Sequence, residues 1–155
     1  MTPTWLEFVR SKTGEHELDG LESNPFILEC LDTCDNIGPW AKGRDETAWC
    51  SALINLSMIR CGYVGTNHAL ASSWLDWGME MVSPMFGCVT VIRRKGGRAD
   101  AATGSRRGYH VSLFLEAVDD GLWLHGGNQR NKVGQNFYPL PKYDVLAYRW
   151  PVVRQ

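Results

Sequence analysis

The sequence lacks a hydrophobic run long enough to cross a membrane, because no stretch approaches the ~18 consecutive apolar residues that a spanning helix requires. Its first residues also lack the basic and apolar segments that make up a secretory signal peptide. We therefore expect a protein with no membrane span that is synthesised in the cytoplasm without a signal peptide. A target outside that cell would have to be reached by separate delivery.

An excess of charge of either sign is also missing. The chain has 16 lysine and arginine residues against 17 aspartate and glutamate residues, which gives a formal net charge of -1 at pH 7. This balance argues against a dedicated nucleic-acid-binding protein, and we expect no nucleic acid among its partners. A basic segment, residues 93–107, has two interpretations: a solvated hairpin loop, or a surface that attracts an anionic polymer such as a cell wall.

The five cysteines do not indicate a disulfide framework, because their number is odd and their spacing is irregular. Cys30 and Cys34 are four residues apart, but no second pair of Cys or His residues completes a zinc site. We therefore predict no metal and no cofactor. Cys61 and Cys88 fit the pattern of small buried apolar side chains, which leaves Cys50 as the cysteine with a candidate chemical role.

The spacing of apolar residues changes near the middle of the chain. In the first half they recur every three or four positions, and this predicts helices that end before residue 14, begin at a cap near residue 24, and cover residues 47–60 and 69–77. After residue 84 they alternate, and this predicts strands at residues 88–93, 110–117, 122–125, 133–138 and 145–150. The sequence therefore predicts one α+β domain over residues 1–155, with N-terminal helices packed on an antiparallel sheet of about five or six strands.

Two of the predicted strands should form a hairpin, because Asp120 and Gly121 lie between them as a tight-turn pair. Symmetric pairing about that turn would place His125 near Glu116, well along the strand from His110. The same register would bring the loop just past residue 128 opposite His110.

Cys50 lies where an amphipathic helix pattern begins, with Asp45 or Thr47 as the candidate N-cap. The unpaired N–H groups of a helix's first turn favour a thiolate, which is the nucleophilic form of cysteine. Its small neighbours Ser51 and Ala52 would let a substrate backbone approach, and its own N–H could stabilise an oxyanion. We expect an exposed nucleophile; the alternative is a buried cysteine on the apolar side of the helix.

His110 is the favoured general base, because it opens a predicted strand and Asn128 follows the next strand, where it could bond the second ring nitrogen. His125 ends that next strand and could instead belong to the triad, support it from outside or simply close the strand. His16 lies in a charged stretch and is expected to be solvated. His68 lies in a loop and is a weaker candidate for contact with substrate.

Several residues next to the predicted catalytic groups are candidates for binding substrate. Trp74 and Trp77 share one helix face, where they either pack in the core or form a platform for a sugar or peptide. The candidate substrate contacts are Asp45, Trp49, Ser51, Tyr109 and Gln129.

Segments of the sequence resemble the NlpC/P60–CHAP superfamily, especially its small phage and bacterial cell-wall hydrolases. The resemblance covers residues 24–151 in the order of the family. Two positions depart from the family pattern: Tyr109 stands where glycine usually precedes the histidine, and Ala48 stands where proline is common. The similar segments are residues 24–29, 45–52, 65–78, 110–111, 126–133 and 146–151.

This resemblance implies a papain-like fold and hydrolysis of an amide bond in peptidoglycan stem peptides, with Cys50, His110 and Asn128 as the triad. It further implies a phage lysin or an antibacterial effector that acts in the periplasm or cell wall after delivery by a holin or secretion system. Peptidoglycan is the expected partner, with a cognate immunity protein or the secretion apparatus as further partners. The alternatives are a papain-like acyltransferase or intracellular amidase, and a wall-binding module without catalysis.

Overall fold

The computed structural model describes residues 1–43 and 48–152. In it, four N-terminal helices pack against a six-stranded antiparallel sheet, which confirms the predicted α+β class. The helices are α1 (Thr4–Ser11), α2 (Pro25–Leu31), α3 (Pro39–Lys42) and α4 (Cys50–Arg60). The strands are β1 (Met79–Glu80), β2 (Val89–Arg94), β3 (Tyr109–Val118), β4 (Gly121–Gln129), β5 (Lys132–Pro139) and β6 (Tyr143–Trp150). Within the described residues, no helix is both long enough and apolar enough to span a membrane.

The first two helices begin and bury the residues that their sequences predict. In α2, Asn24 is the N-cap: its side chain accepts a hydrogen bond of 2.8 Å from the Phe26 backbone N–H, and Pro25 follows at the first helical position. In α1, the buried residues Leu6 and Val9 lie on the face that packs into the core.

The third predicted helix begins later than expected. Residues 47–60 were predicted to be helical, but α4 starts at Cys50, and its N-cap is Trp49, whose side chain makes no capping hydrogen bond. The predicted caps, Asp45 and Thr47, lie outside the described residues. Every residue of α4 from Cys50 to Met58 is buried, so packing rather than a side-chain cap stabilises this helix.

The fourth predicted helix, residues 69–77, is wrong in length and type: the structure has a single 3-10 turn at Ala71–Trp74. The Ser73 hydroxyl donates to the Leu70 carbonyl at 2.7 Å, a side-chain bond that competes with regular helical bonding. Trp74 is fully buried in the core, whereas Trp77 is half-buried.

The sheet has the strand order β1-β6-β2-β3-β4-β5, and α4 packs across β3 and β4. Two apolar clusters lie on its two faces. Val111 and Leu113 of β3 belong to the cluster on the α4 face, and Phe114 belongs to the other. The His110 ring lies on the second face, 5.6 Å between ring centroids from Tyr138 of β5.

The predicted hairpin register is wrong. The turn between β3 and β4 consists of Asp119 and Asp120, one residue earlier than predicted. A β-bulge in β3 next to Glu116 shifts the pairing further. His125 consequently pairs with Leu113 instead of lying near Glu116.

Candidate functional site

Cys50 is the first residue of α4 and lines a cleft of about 770 Å³. Only 6% of its surface is exposed, so the expectation of an exposed thiol is wrong. Burial raises the pKa of Cys50, and hydrogen bonds from the Val111 and Ser51 backbones oppose that rise without cancelling it. The expected shift toward thiolate is therefore also wrong, because burial outweighs the helix N-terminus.

Trp49 fixes the position at which α4 begins. Its backbone N–H donates to Oδ1 of Asn128 at 2.7 Å, and its indole Nε1 donates to Glu17 at 2.9 Å. The ring packs on Gly127 so closely that a Cβ there would lie 2.4 Å from it. The fully buried Trp49 thus ties the residue before Cys50 to the end of β4.

His110 is held by Gln129, the last residue of β4. The Gln129 amide nitrogen donates to the Leu124 carbonyl at 3.1 Å and to the Gly134 carbonyl at 2.5 Å. Its Oε1 must therefore accept, and Ser112 donates to it at 2.8 Å. His110 Nε2 lies 3.1 Å from the same oxygen, so Nε2 carries the proton of the neutral ring.

This tautomer leaves the lone pair of the neutral ring on Nδ1 of His110. That nitrogen is buried and has no hydrogen-bond partner among the described residues. A buried acceptor without a donor is costly in a folded protein, and such groups concentrate where function requires them. Nδ1 is therefore the atom of this site that is available to receive a proton.

Burial lowers the pKa of His110 to about 4, and the Gln129 contact and the charge of Asp100 partly oppose this shift. Asp100 is itself buried and accepts a hydrogen bond of 2.6 Å from the Tyr143 hydroxyl. The ring is consequently neutral at pH 7. A neutral imidazole is the form that acts as a base.

The thiol and the imidazole lie on opposite faces of the sheet at the start of β3, and no hydrogen bond joins them in the described part of the chain. The Val111 backbone, next to His110, bonds to the Cys50 thiol. Burial chiefly raises the pKa of Tyr138, which packs on the His110 ring, and the charge of a Cys50 thiolate is among the lesser causes. The Val111 contact places the thiol beside the start of β3, the strand that carries His110.

The structure gives Asn128 and Gln129 different positions from those that the sequence analysis predicted. Asn128 was expected to bond the His110 ring, but its Oδ1 accepts from Trp49 instead. Gln129, predicted as a substrate contact, makes the bond to His110 and is itself buried. Gln129 is therefore the side chain that orients the His110 imidazole in the structure.

The remaining predicted substrate contacts divide between the cleft and the core. Tyr109 lines the cleft, with the Arg93 guanidinium 4.2 Å from its ring centroid. Trp49 and Ser51 are fully buried, and the Ser51 hydroxyl donates to the His68 carbonyl at 2.6 Å. Asp45 lies outside the described residues.

The cleft has one wall of small and apolar side chains and one polar, basic wall. Ala69 and Ala71 contribute to the first, and the exposed Arg106 and Arg107 to the second. Among the described residues that line the cleft, none is acidic. The remaining lining residues are Trp40, Ala41, Ala48, Leu70, Ser72, Thr103, Gly104 and Ser105, together with Cys50 and Tyr109.

His125 lies apart from this arrangement. Its Nε2 is 3.0 Å from the Thr13 hydroxyl, and burial, followed by the charge of Arg10, lowers its pKa to about 4. His16 contacts the backbone of its own loop through the Gly14 carbonyl, and its neighbourhood is exposed. Neither ring contacts Cys50 in the described structure.

Metal binding has no candidate site within residues 1–43 and 48–152, where no group of three or more His, Cys, Asp and Glu side chains could hold an ion. All five cysteines are free thiols. Of the two candidate catalytic side chains, Cys50 lines the cleft, whereas His110 is fully buried and does not.

Ser112 and Asp100 also support the histidine, and neither was predicted from the sequence. Ser112 carries a signal, because residues two apart on a strand share a face and it therefore lies beside His110. Asp100 lies in an irregular segment between β2 and β3, where sequence pattern predicts no contact.

Comparison of the chain with models of known protein families, with curated proteins and with solved structures finds no match.

Proposed function

We propose that this protein is a cysteine-dependent amide hydrolase in which Cys50 is the nucleophile and His110 is the general base. The observation that carries the proposal is the fixed tautomer of His110, whose Nδ1 bears the lone pair of the ring, is buried and has no partner among the described residues, one residue along β3 from the Val111 backbone that bonds to the Cys50 thiol. Nδ1 of His125 is buried and unpartnered as well, so what distinguishes His110 is its place on β3 next to Val111, whose backbone bonds to the Cys50 thiol.

The chemistry follows from these positions. The Cys50 sulfur attacks an amide carbonyl while its proton passes to Nδ1 of His110, and the imidazolium then gives that proton to the leaving amine. Water attacks the resulting thioester, His110 takes its proton, and the return of that proton restores the thiol as the acid product leaves. The Cys50 N–H, at the first position of α4, is suited to stabilise the oxyanion.

The resting pair is neutral in this scheme, because burial raises the pKa of Cys50 and lowers that of His110. Proton transfer therefore accompanies attack on the substrate instead of preceding it. The proposal requires that the thiol and Nδ1, which lie on opposite faces at the start of β3, come into contact when substrate binds, since catalytic hydrogen bonds often form fully only in that complex.

The walls of the cleft support a short peptide with free carboxylates as the substrate. The Ala69 and Ala71 side of the cleft suits alanine-sized side chains, and Arg106 and Arg107 suit carboxylates. Peptidoglycan stem peptides combine both features, and the resemblance to NlpC/P60–CHAP hydrolases leads to the same substrate. In this proposal the protein acts on the cell wall as a lysin or an antibacterial effector after delivery.

A wall-binding module without catalysis is the second candidate. It is favoured by the burial of Cys50 and by the missing thiol–imidazole hydrogen bond among the described residues. It predicts binding to the wall without any release of fragments.

The experiment is to incubate purified protein with bacterial sacculi and to follow soluble fragments by mass spectrometry. Cys61, the half-exposed C-cap residue of the same helix, provides a matched control. We expect release by wild type and by Cys61→Ala, and none by Cys50→Ala. Equal release by Cys50→Ala would refute the nucleophile, and binding by wild type without release would establish the second candidate.

A further inference from the structure

A second hollow adjoins the Cys50 cleft. It has a volume of about 500 Å³ and shares Leu70 and Ser72 with the cleft, so one ligand could occupy both. Trp77 is among its lining residues, and we refer to it as the Trp77 hollow.

The Trp77 ring is held in place. Its Nε1 donates to the Val64 carbonyl at 2.8 Å, and its edge packs against Trp74, with 4.7 Å between ring centroids. Trp74 in turn donates to the Ser51 hydroxyl at 2.8 Å, next to Cys50. The half-buried Trp77 indole is thus fixed at its polar end and presents its apolar surface. The contacts through Trp74 and Ser51 set the distance of that surface from Cys50.

Hydrogen-bond donors and acceptors both lie around the Trp77 ring. His68 Nδ1 accepts from the Leu70 N–H at 3.1 Å, so the neutral ring carries its proton on Nε2 and can donate. Asp76 supplies acceptors only, and it makes no hydrogen bond or ion pair with other residues in the described ranges. The Ser72 hydroxyl can donate and accept.

We infer that the Trp77 hollow binds a sugar ring of the glycan to which the peptide substrate is attached; the inference rests on the proposed function. Sugars pair an apolar C–H face with hydroxyls that donate and accept, which matches a fixed indole beside an acceptor and a donor. A cationic ligand would find Asp76 and the indole suitable, but the His68 N–H would oppose it.

The charges of the cleft and of the Trp77 hollow agree with a peptide in the cleft and a sugar in the hollow. Arg106 and Arg107 line the cleft and suit the carboxylates of a peptide, whereas Asp76 lines the hollow and would repel them. A neutral, hydroxyl-bearing chain is therefore directed to the hollow and an anionic peptide to the cleft.

The direct test is an NMR titration of the Trp77 indole N–H signal in the full chain with a tetramer of β-1,4-linked N-acetylglucosamine. We expect a saturable shift that weakens at least tenfold in Asp76→Ala. Glu80→Ala provides the matched control, because Glu80 is an exposed acid on β1 that does not line the hollow. No saturable shift up to 20 mM sugar (about the weakest useful affinity), equal binding by Asp76→Ala, or displacement by tetramethylammonium would overturn the inference.

A kinetic test separates this inference from the proposed function. The ratio of kcat/KM for a glycan-bearing stem peptide to that for the same peptide without sugar should fall at least tenfold in Asp76→Ala. An unchanged ratio, with both peptides cleaved, refutes the sugar site and leaves the proposed function standing. If wild type cleaves neither peptide, the proposed function fails, and the titration still decides whether the hollow binds sugar.

Discussion

The protonation state of the Cys50–His110 pair can be tested by changing pH. Burial lowers the pKa of His110 to about 4 and raises that of Cys50 above its ordinary value of 9.0. With the pKa of His110 at about 4, roughly one molecule in a thousand carries the imidazolium at pH 7. The raised pKa of Cys50 disfavours the thiolate as well, so we expect the pair to be neutral at rest.

The assay is alkylation of Cys50 by iodoacetamide between pH 5 and 10, followed by mass spectrometry of the labelled peptide. We expect the rate to rise about tenfold per pH unit to beyond pH 9, because only the thiolate reacts. The variant His110→Gln should give the same profile, since the imidazole does not hold the thiolate at rest. Peptide-level detection separates Cys50 from the half-exposed Cys61, which serves as an internal reference.

A plateau of labelling below pH 7 that disappears in His110→Gln would refute this reasoning and establish a preformed ion pair.

The pH dependence of turnover gives a second measurement of the protonation state of the pair. The base must be neutral to act, so kcat/KM should stay level as pH falls from 7 and decline only as it approaches the His110 pKa of about 4.

Three further predictions concern stability and the orientation of the histidine. Asn128→Gly removes the acceptor of the Trp49 N–H without straining the backbone, and it should lower the free energy of unfolding in urea by about 1–3 kcal/mol, whereas Asn128→Asp should lose less. Gln129→Leu should reduce turnover per folded molecule at least about a hundredfold. The nitrogen chemical shifts of the His110 ring should show that it is no longer confined to the Nε2–H tautomer, and unchanged shifts would contradict the assigned tautomer. The pKa of His125 is about 4 in the folded protein and 6.5 in the unfolded chain, so between these values the unfolded chain binds a proton that the folded protein does not. The contribution of His125 to the free energy of unfolding is therefore fully present above pH 6.5 and is lost as the pH falls toward 4. Between pH 7 and pH 4.5 the loss attributable to His125 should be about 2 kcal/mol, since pH 4.5 lies above the folded-state pKa and solvent screening reduces the effect, and it should vanish in His125→Asn, as measured by urea unfolding.

The long elements of this fold could be predicted because their apolar residues are numerous and periodic. The five longer strands and the first two helices follow from that pattern alone. The four-residue α3 and the two-residue β1 could not be predicted, because each is too short to show a period. Strand β1 exists through its pairing with β6, which is a contact between residues about 70 positions apart.

The candidate nucleophile illustrates a second limit of sequence. A cysteine at a helix N-terminus is expected to be more acidic, and the position of Cys50 at the start of α4 agrees with the prediction to within three residues. Whether that effect prevails depends on how much water the fold removes from the thiol. With 6% of Cys50 exposed, burial dominates, and a one-dimensional pattern contains no measure of burial at a single position.

Gln129 rather than Asn128 orients His110 for a specific geometric reason. Gly126 faces Ser112, since a Cβ on it would lie 2.2 Å from the Ser112 hydroxyl, and regular alternation would place residue 128 on that same face, beside His110. The register between β4 and β5 shifts after Gly126, and Asn128 has a φ of 56°. This irregularity inserts one residue into β4 and gives the face toward His110 to Gln129. The prediction of Asn128 as the orienting group would be correct for an unbroken strand, and a bulge of one residue is what separates it from the observed site.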